Sequence, residues 1–303
     1  MSQQTQPPTA LPAANAAQRR LVQVLFVGVF MAALDSAIVG PVLPALRAAF
    51  GIDNRTAGLL TTVFALSSMC STALMAYFSD RHGRRPVYLA SVALFAIGSL
   101  CIAAAPSFDL LLVSRAIQGI GAGGIAPVAS AVIGDVFTAE RRGRILGLLG
   151  ATHGMAFVLG PPLATVLTST LGWRWLFLLE ALPAIVLSVI VWHWLPNRPH
   201  QARWLQSSEA EALEQALQQE HELAKTNGDQ VHGLDALWGD RRLWLLSFLY
   251  LGIATSFYGF SFWIPRFVGD ALGQDAPSPV LVNLLSAIPY ALAVVVMLLV
   301  SRA

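Results

Sequence analysis

Eight long apolar stretches, separated by polar segments, constrain this chain of 303 residues more than any other feature. Hydrophobic residues make up 55% of the sequence and charged residues only 12%, whereas a soluble domain carries roughly 25% charged residues. A helix of about 20 apolar residues crosses a bilayer core, which is about 30 Å thick. The sequence therefore predicts an all-α integral membrane protein with spans at 21–46, 57–78, 87–105, 110–136, 145–171, 173–195, 243–267 and 280–301.

Basic residues are divided unequally between the two sides that these spans define. One side carries Arg19, Arg20, Arg81, Arg84, Arg85, Arg141, Arg142, Arg144, Arg198, Arg203, Lys225, Arg241 and Arg242. The other side carries only Arg47, Arg55, Arg174 and Arg266. Because short basic loops remain in the cytoplasm, we expect a multi-pass plasma-membrane protein with a cytoplasmic N-terminus. This orientation signal accounts for the arginines, so no nucleic-acid partner is predicted.

The polar segments divide the chain into four parts. Residues 1–20 form a Gln-, Pro- and Ala-rich tail that we expect to be disordered. Residues 21–195 hold six spans, and residues 242–303 hold two more. Between them, residues 196–241 form a polar linker with a capping box at Ser208 and Glu211, followed by leucines at helical spacing, which predicts an amphipathic helix on the cytoplasmic side.

Patterns typical of enzymes are missing from the sequence or lie in the wrong context. The run from Gly119 to Gly124 matches the dinucleotide fingerprint G-x-G-x-x-G, but it lies inside an apolar span and not between a strand and a helix. Cys70 and Cys101 lie in apolar runs, and neither a metal-ligand spacing nor a Ser/His/Asp arrangement is seen. We therefore predict no enzymatic activity, no metal and no bound cofactor.

Charged residues within the spans are the candidates for function, because burying a charge in a bilayer is costly. Asp35 lies in the first span, Arg115 in the fourth and Glu180 in the sixth. An Asp35–Arg115 pair either exchanges partners and protons between two conformations or is a static link between two helices. For Glu180 a role in the cavity and a structural role, facing Arg174 or a helix end, both remain open.

Small residues in spans four and five predict close helix packing. Glycines four residues apart allow helix backbones to approach each other in lipid. Pairs with this spacing are Gly119 with Gly123, Gly143 with Gly147, and Gly150 with Gly154.

The turn between spans two and three carries a family motif. Its residues Asp80, Arg81, Gly83, Arg84 and Arg85 resemble the signature loop of the major facilitator superfamily, with Ala76 where that pattern has glycine. The run Arg115-x-x-Gln118-Gly119 is similar to the fourth-helix motif of that family. Gly160-Pro161 is similar to the fifth-helix motif of its antiporters, although Ala156 and Ala164 replace glycines that are usual there.

Later segments resemble another branch of the same superfamily. The stretch from Gly172 to Glu180, Leu182-Pro183, and the run from Leu195 to Pro199 are similar to organic anion symporters. The family resemblance implies two six-helix halves. The chain then holds a complete first half and the first two helices of the second, as if it were truncated.

The resemblance implies transport of a small organic solute by alternating access, driven by a proton gradient. Proton-coupled export of drugs or metabolites, uptake of organic anions with protons, and an inactive fragment are three alternatives. The implied proton-coupling and cavity residues are Asp35, Arg115, Gln118 and Glu180. A gate is implied at Asp80, Arg81, Gly83, Arg84, Arg85, Asp135, Glu140 and Arg144, and helix packing at Gly119, Gly123, Gly150, Gly154, Gly160 and Pro161. Besides the solute and the lipid bilayer, no obligate protein partner is expected.

Overall fold

The computed structural model describes residues 16–137, 139–195, 239–273 and 278–300. Nine helices are present in these ranges. They are α1 (Ala16–Phe50), α2 (Asn54–His82), α3 (Arg84–Ala104), α4 (Phe108–Val136), α5 (Ala139–Thr170), α6 (Trp173–Trp194), α7 (Arg241–Leu272), α8 (Pro279–Ser286) and α9 (Ile288–Val300). Eight helical stretches of the described residues are long and apolar enough to cross a membrane, which confirms the predicted number of spans.

Two boundaries differ from the sequence prediction. Helix α1 begins at Ala16, so the last five residues of the expected disordered tail are helical. The eighth span is divided at Ala287 into α8 and α9. Pro289 explains the division, because it has no backbone N–H for the Leu285 carbonyl and its ring crowds that carbonyl. The predicted linker helix and most of the predicted tail lie outside the described residues.

Tight turns join the first helices. Asp53 caps α2 by accepting a hydrogen bond from the Thr56 backbone N–H at 2.9 Å. Hydrogen bonds from the side chain and the backbone of Thr56 lower the pKa of the exposed Asp53 carboxyl. Gly83 connects α2 directly to α3 with a φ of 97°, a conformation that side-chain-bearing residues rarely adopt.

Helix α4 is the centre of the six-helix arrangement formed by α1–α6. It packs against α2 on one side and α3 on the other, while α1 packs against α5 and α6. Helix α3 also contacts α6. This order places α1, α3, α4 and α6 around one common interior.

Two apolar clusters fill that interior at different depths. The first cluster includes Leu25, Tyr88, Val132 and Val191, and lies toward the end that carries Arg19 and Arg20. We call this the basic end. The second cluster lies toward the opposite end and includes Leu46, Ile102, Leu111 and Phe177. On each of the four helices, a short segment between these clusters remains for polar residues.

Helices α7, α8 and α9 form a more open part of the structure. Much of α7 presents exposed apolar side chains, among them Phe248, Leu249 and Tyr250. An aromatic group joins this part to α5, because Phe157 lies 5.3 Å from the Tyr290 ring and 5.2 Å from the Phe257 ring between centroids. Exposed apolar surface of this kind suits a lipid environment.

Candidate functional site: a buried polar layer and a half-exposed latch

A layer of polar side chains lies between the two apolar clusters. Each of the four central helices contributes to it: Asp35 from α1, Ser99 from α3, Arg115 and Gln118 from α4, and Glu180 from α6. All five are buried. On each helix, the residues of the layer lie between residues of the first cluster and residues of the second. The layer is therefore near the middle of the spans.

Asp35 and Arg115 form the ion pair of this layer. The Nη1 atom of Arg115 donates to Oδ1 of Asp35 at 2.7 Å, and the exposed fractions of the two side chains are 2% and 0%. The Arg115 guanidinium also lies over the Phe64 ring, with its carbon 4.3 Å from the ring centroid. A desolvated cation–π contact adds to the stabilisation of this charge.

Gln118 connects all the other members of the layer. Its Oε1 accepts from Arg115 Nη1 at 2.5 Å. Its Nε2 lies 3.1 Å from Asp35 Oδ1, 2.8 Å from Ser99 Oγ and 3.3 Å from Glu180 Oε2. An amide nitrogen has only two N–H donors, so these three acceptors compete for two hydrogen atoms.

The layer also contains polar atoms without a hydrogen-bond partner. Asp35 Oδ2, Glu180 Oε1 and Arg115 Nε are all buried in this condition. An unpartnered buried polar atom costs roughly 1–3 kcal/mol and calls for an explanation. With both carboxylates ionised the layer carries one excess negative charge, since Arg115 supplies the single positive one. Binding one proton would make it neutral.

The structure corrects one reading of Glu180. An orientation toward Arg174 was one expectation for this residue, and it is wrong. Arg174 donates to the Ala105 carbonyl at 3.0 Å and lies over the Trp173 ring. Glu180 instead faces Gln118. It lies between one and two helical turns further along α6 than Arg174.

A second charged group connects the α2–α3 turn to the end of α4. Arg84 Nε donates to Asp135 Oδ2 at 2.8 Å, and Nη1 donates to Asp80 Oδ1 and, at 3.2 Å, to Ser79 Oγ. We call Asp80, Arg84 and Asp135 the latch. The exposed fractions of their side chains are 71%, 21% and 34%, so water reaches all three.

Of the remaining residues of the predicted gate, Arg81 and Arg85 have other partners among the described residues. Arg81 donates to the Tyr77 hydroxyl at 3.1 Å, and Arg85 donates to the Trp192 carbonyl of α6. Gly83 forms the turn itself, and Arg144 is exposed. The side chain of Glu140 lies outside the part of the chain that the structure describes.

The predicted packing glycines behave differently from one another. A Cβ atom at Gly119 would meet Ser67 and the Phe64 carbonyl, and one at Gly123 would meet Ser71 and the Ser68 carbonyl. The same atom at Gly154 would lie 2.6 Å from Val294, and at Gly160 it would lie 2.9 Å from Ala37. Gly150 departs from the prediction, because no atom lies within 4 Å of such a Cβ. Pro161 is half-buried within α5.

The sequence gives little indication that Ser99 and Phe64 contact the layer. A serine in an apolar helix is common, since its hydroxyl can bond to the preceding turn, as Ser99 does with Phe95. Nothing in the spacing of Phe64 indicates that it faces Arg115. Within the described ranges, no three His, Cys, Asp or Glu side chains form a group that could hold a metal ion.

Comparisons with known proteins give the family. The uncharacterized MFS-type transporter YfiU of Bacillus subtilis strain 168 is 40% identical over 174 residues, which are 57% of this chain and 33% of that protein. Multidrug resistance protein 3 of the same organism is 31% identical over 189 residues, which are 62% of this chain and 37% of that protein. The chain thus spans about a third of the length of these curated relatives.

The fold agrees with this likeness. The inward-open structure of the xylose transporter XylE from E. coli matches with a TM-score of 0.62 and 18% identity, over 94% of this chain and 69% of that one. The family model described as Major Facilitator Superfamily matches residues 25–303. This chain is a multi-pass membrane protein that belongs to the Major Facilitator Superfamily of transporters and not to a family of enzymes.

Proposed function

We propose that the protein exports a small organic solute by alternating access and that the inward movement of protons drives the export. The observation that carries this proposal is the buried polar layer, in which Gln118 connects the Asp35–Arg115 ion pair to a second carboxylate, Glu180. Membership of a family of transporters supports the transport part of the proposal. Proton coupling, direction and solute are the proposed parts.

The chemistry of the layer supports proton coupling. Asp35, Glu180 and Arg115 lie in one buried layer that has one more carboxyl group than cations, so the layer offers a place for one proton. Protonation of Asp35 would weaken its 2.7 Å ion pair with Arg115. Arg115 and Gln118 would then be free to turn toward Glu180 or toward a solute.

The position of the layer supports a coupling role. Asp35 and Glu180 lie on helices that the ion pair and the Gln118 amide connect to α4. A change of protonation therefore alters the contacts between helices, and such a change biases one conformation over another. Movement of helix groups against each other around a site near the midplane is the general form of alternating access.

The latch supports opening and closing at the basic end. Arg84 joins the α2–α3 turn to α4 through Asp135. Excess basic charge indicates that this end lies in the cytoplasm. Breaking the Arg84–Asp135 bond would release the α2–α3 turn from the end of α4 and allow these helix ends to move as the solute passes.

Export is favoured because one relative at 31% identity is named Multidrug resistance protein 3. Uptake of an organic anion with protons is the second candidate, because Glu180, which belongs to the stretch that resembles organic anion symporters, hydrogen-bonds within the layer. The proposal needs no bound cofactor, since the proton gradient supplies the energy.

Transport in proteoliposomes tests the proposal. We expect ethidium, added to vesicles that contain the full chain and a pH-sensitive dye, to cause a proton flux that Asp35→Asn abolishes. Asp109→Asn is the matched control, because Asp109 is an exposed carboxylate in the first turn of α4. A flux caused by benzoate and not by ethidium would favour the symporter. An unchanged flux in Asp35→Asn would rule out Asp35 as the proton carrier, and no flux with either solute would favour an inactive chain.

A further inference from the structure

A groove on the outside of the six-helix arrangement lies between α1 and α6 near the basic end. Its volume is about 710 Å³, which is within the range of about 300–1,000 Å³ that small ligands usually occupy. In the part of the chain that the structure describes, its walls are formed by α1 and α6. It is separate from the buried polar layer, since neither Asp35 nor Glu180 contributes to its wall.

The wall of the groove is apolar along most of its length. The residues that form this part include Val24, Val27, Pro183, Val186, Leu187 and Ile190. Val27 and Val186 are exposed, so the groove opens toward the lipid that surrounds the spans. An acyl chain is the apolar group that a bilayer supplies at this depth.

One end of the groove has a different chemistry. Arg20, Gln23 and His193 line that end, and Arg20 and His193 are both exposed. Among the residues that the structure describes, none that lines the groove is acidic. Arg85 adds positive charge close by, because its guanidinium lies over the Trp192 ring next to His193.

We propose that this groove binds one anionic phospholipid, with an acyl chain along the valines and its phosphate at Arg20 and His193. The arrangement of charge carries the inference, because a permanent cation terminates an apolar groove at the depth where headgroups lie. Basic pockets between helices are the usual site for anionic headgroups at a membrane protein. Trp194 at the same end suits the bilayer interface.

The bound lipid connects two helices that matter elsewhere in the protein. Helix α1 carries Asp35 and α6 carries Glu180, and the lipid would hold the basic ends of these two helices together. Lipid binding can be measured without any transport, so its test is independent of the function proposed above.

Lipid retention by the purified full chain tests the charged end of the groove. In native mass spectrometry we expect phosphatidylglycerol to be retained in preference to phosphatidylcholine. The double variant Arg20→Gln/His193→Gln should weaken retention of phosphatidylglycerol about fivefold or more, since one arginine near an anionic surface accounts for roughly that factor. Arg241→Gln is the matched control, because Arg241 is an exposed arginine on the same predicted side, at the start of α7.

A groove-filling variant tests the apolar part without altering charge. Val27→Trp should reduce retention of phosphatidylglycerol, whereas Leu245→Trp, at an exposed apolar position of α7, should leave it unchanged. Glycerophosphoglycerol, which has the headgroup but no acyl chain, should not compete. The proposal would be overturned by equal retention of the two lipids or by effective competition from the headgroup alone. Unchanged retention in the Arg20→Gln/His193→Gln variant or in Val27→Trp would overturn it as well. Circular dichroism of each variant establishes that its helices are intact.

Discussion

The polar layer and the latch each contain one arginine and two carboxylates, but in different surroundings. In the layer, Arg115 bonds to Asp35, and Glu180 is connected to both through Gln118. In the latch, Arg84 bonds directly to both Asp80 and Asp135. In the layer the ion pair is excluded from water, with side chains 0% and 2% exposed. In the latch the side chains are 21% to 71% exposed.

This difference changes what the same groups can do. Water screens the ion pairs of the latch, and exposed pairs of this kind contribute about 0–1 kcal/mol. They can therefore form and break at little cost during a conformational change. In the layer no water compensates a lost partner, so a change in charge there forces the side chains or the helices to rearrange. Helix α4 carries Arg115, Gln118 and Asp135, and so connects the two groups.

Removal of Arg115 should give the largest effect and tests the buried side of the comparison. Arg115→Gln leaves Asp35 without its cation, and breaking a buried ion pair costs about 3–5 kcal/mol. We expect a large fall in thermal stability in detergent and loss of transport. Arg115→Gln combined with Asp35→Asn should recover part of the stability but not transport. Equal stability of the single and double variants would mean that the pair is not electrostatically coupled.

The connection through α4 can be weakened at a glycine. In Gly123→Ala the new methyl group would meet Ser71 and the Ser68 carbonyl of α2, and such overpacking costs about 1–3 kcal/mol. Thermal melting should reveal this cost. Gly150→Ala is the control, since a Cβ there meets no atom within 4 Å, and its melting temperature should match that of the native sequence. Similar melting for both variants would contradict the close packing of α2 and α4.

Removal of the latch arginine tests the exposed side of the comparison. Arg84→Gln should reduce stability by only about 1 kcal/mol, because water solvates the freed carboxylates. Its effect on transport should be much greater than its effect on melting. Asp135→Asn should have a greater effect on transport than Asp80→Asn, since Asp135 lies on α4 and joins the turn to it, whereas Asp80 lies on α2 beside the turn. A loss of stability as large as that of Arg115→Gln would remove the distinction between the two groups.

The smallest effect is expected at Asp53, a carboxylate that no arginine pairs with in the described contacts. The pKa of Asp53 is lowered by its hydrogen bonds with Thr56. The stabilisation of α2 by the Asp53 cap is thus fully present above about pH 4. It is lost as the pH falls through the lowered pKa of Asp53. Hydrogen-exchange protection of the Thr56 amide should decrease over that interval. Asp53→Asn should retain a cap whose protection does not change there, and a parallel decrease in this variant would exclude Asp53 as the cause.

Much of the fold could be predicted because membrane solvation is a strong local constraint. The apolar stretches gave the number of spans, since every backbone polar group in lipid must be bonded within its own helix. The interruption at Ala287 was missed, although Pro289 was visible, because other prolines such as Pro127 and Pro183 continue their helices. Local sequence does not say which of these prolines the surrounding helices accommodate.

The candidate site was partly predictable for the same reason. Asp35 and Arg115 were identified as costly charges in apolar spans, and Gln118 through its resemblance to a family motif. Whether Glu180 faced Arg174 or the interior could not be decided, because both arrangements satisfy the sequence of α6. The roles assigned to these residues and to the latch stay predictions until the variants above are measured.

The sequence by itself determined that the chain crosses a membrane, where its spans lie and which charges are costly, because these depend on the free energy of transferring residues between water and lipid. Only the tertiary structure decided that four helices bring Asp35, Ser99, Arg115, Gln118 and Glu180 into one layer, and that Gly123 packs closely while Gly150 does not. Those outcomes depend on how each helix is rotated and which neighbour it meets, and such contacts between distant residues leave no periodic mark in the sequence.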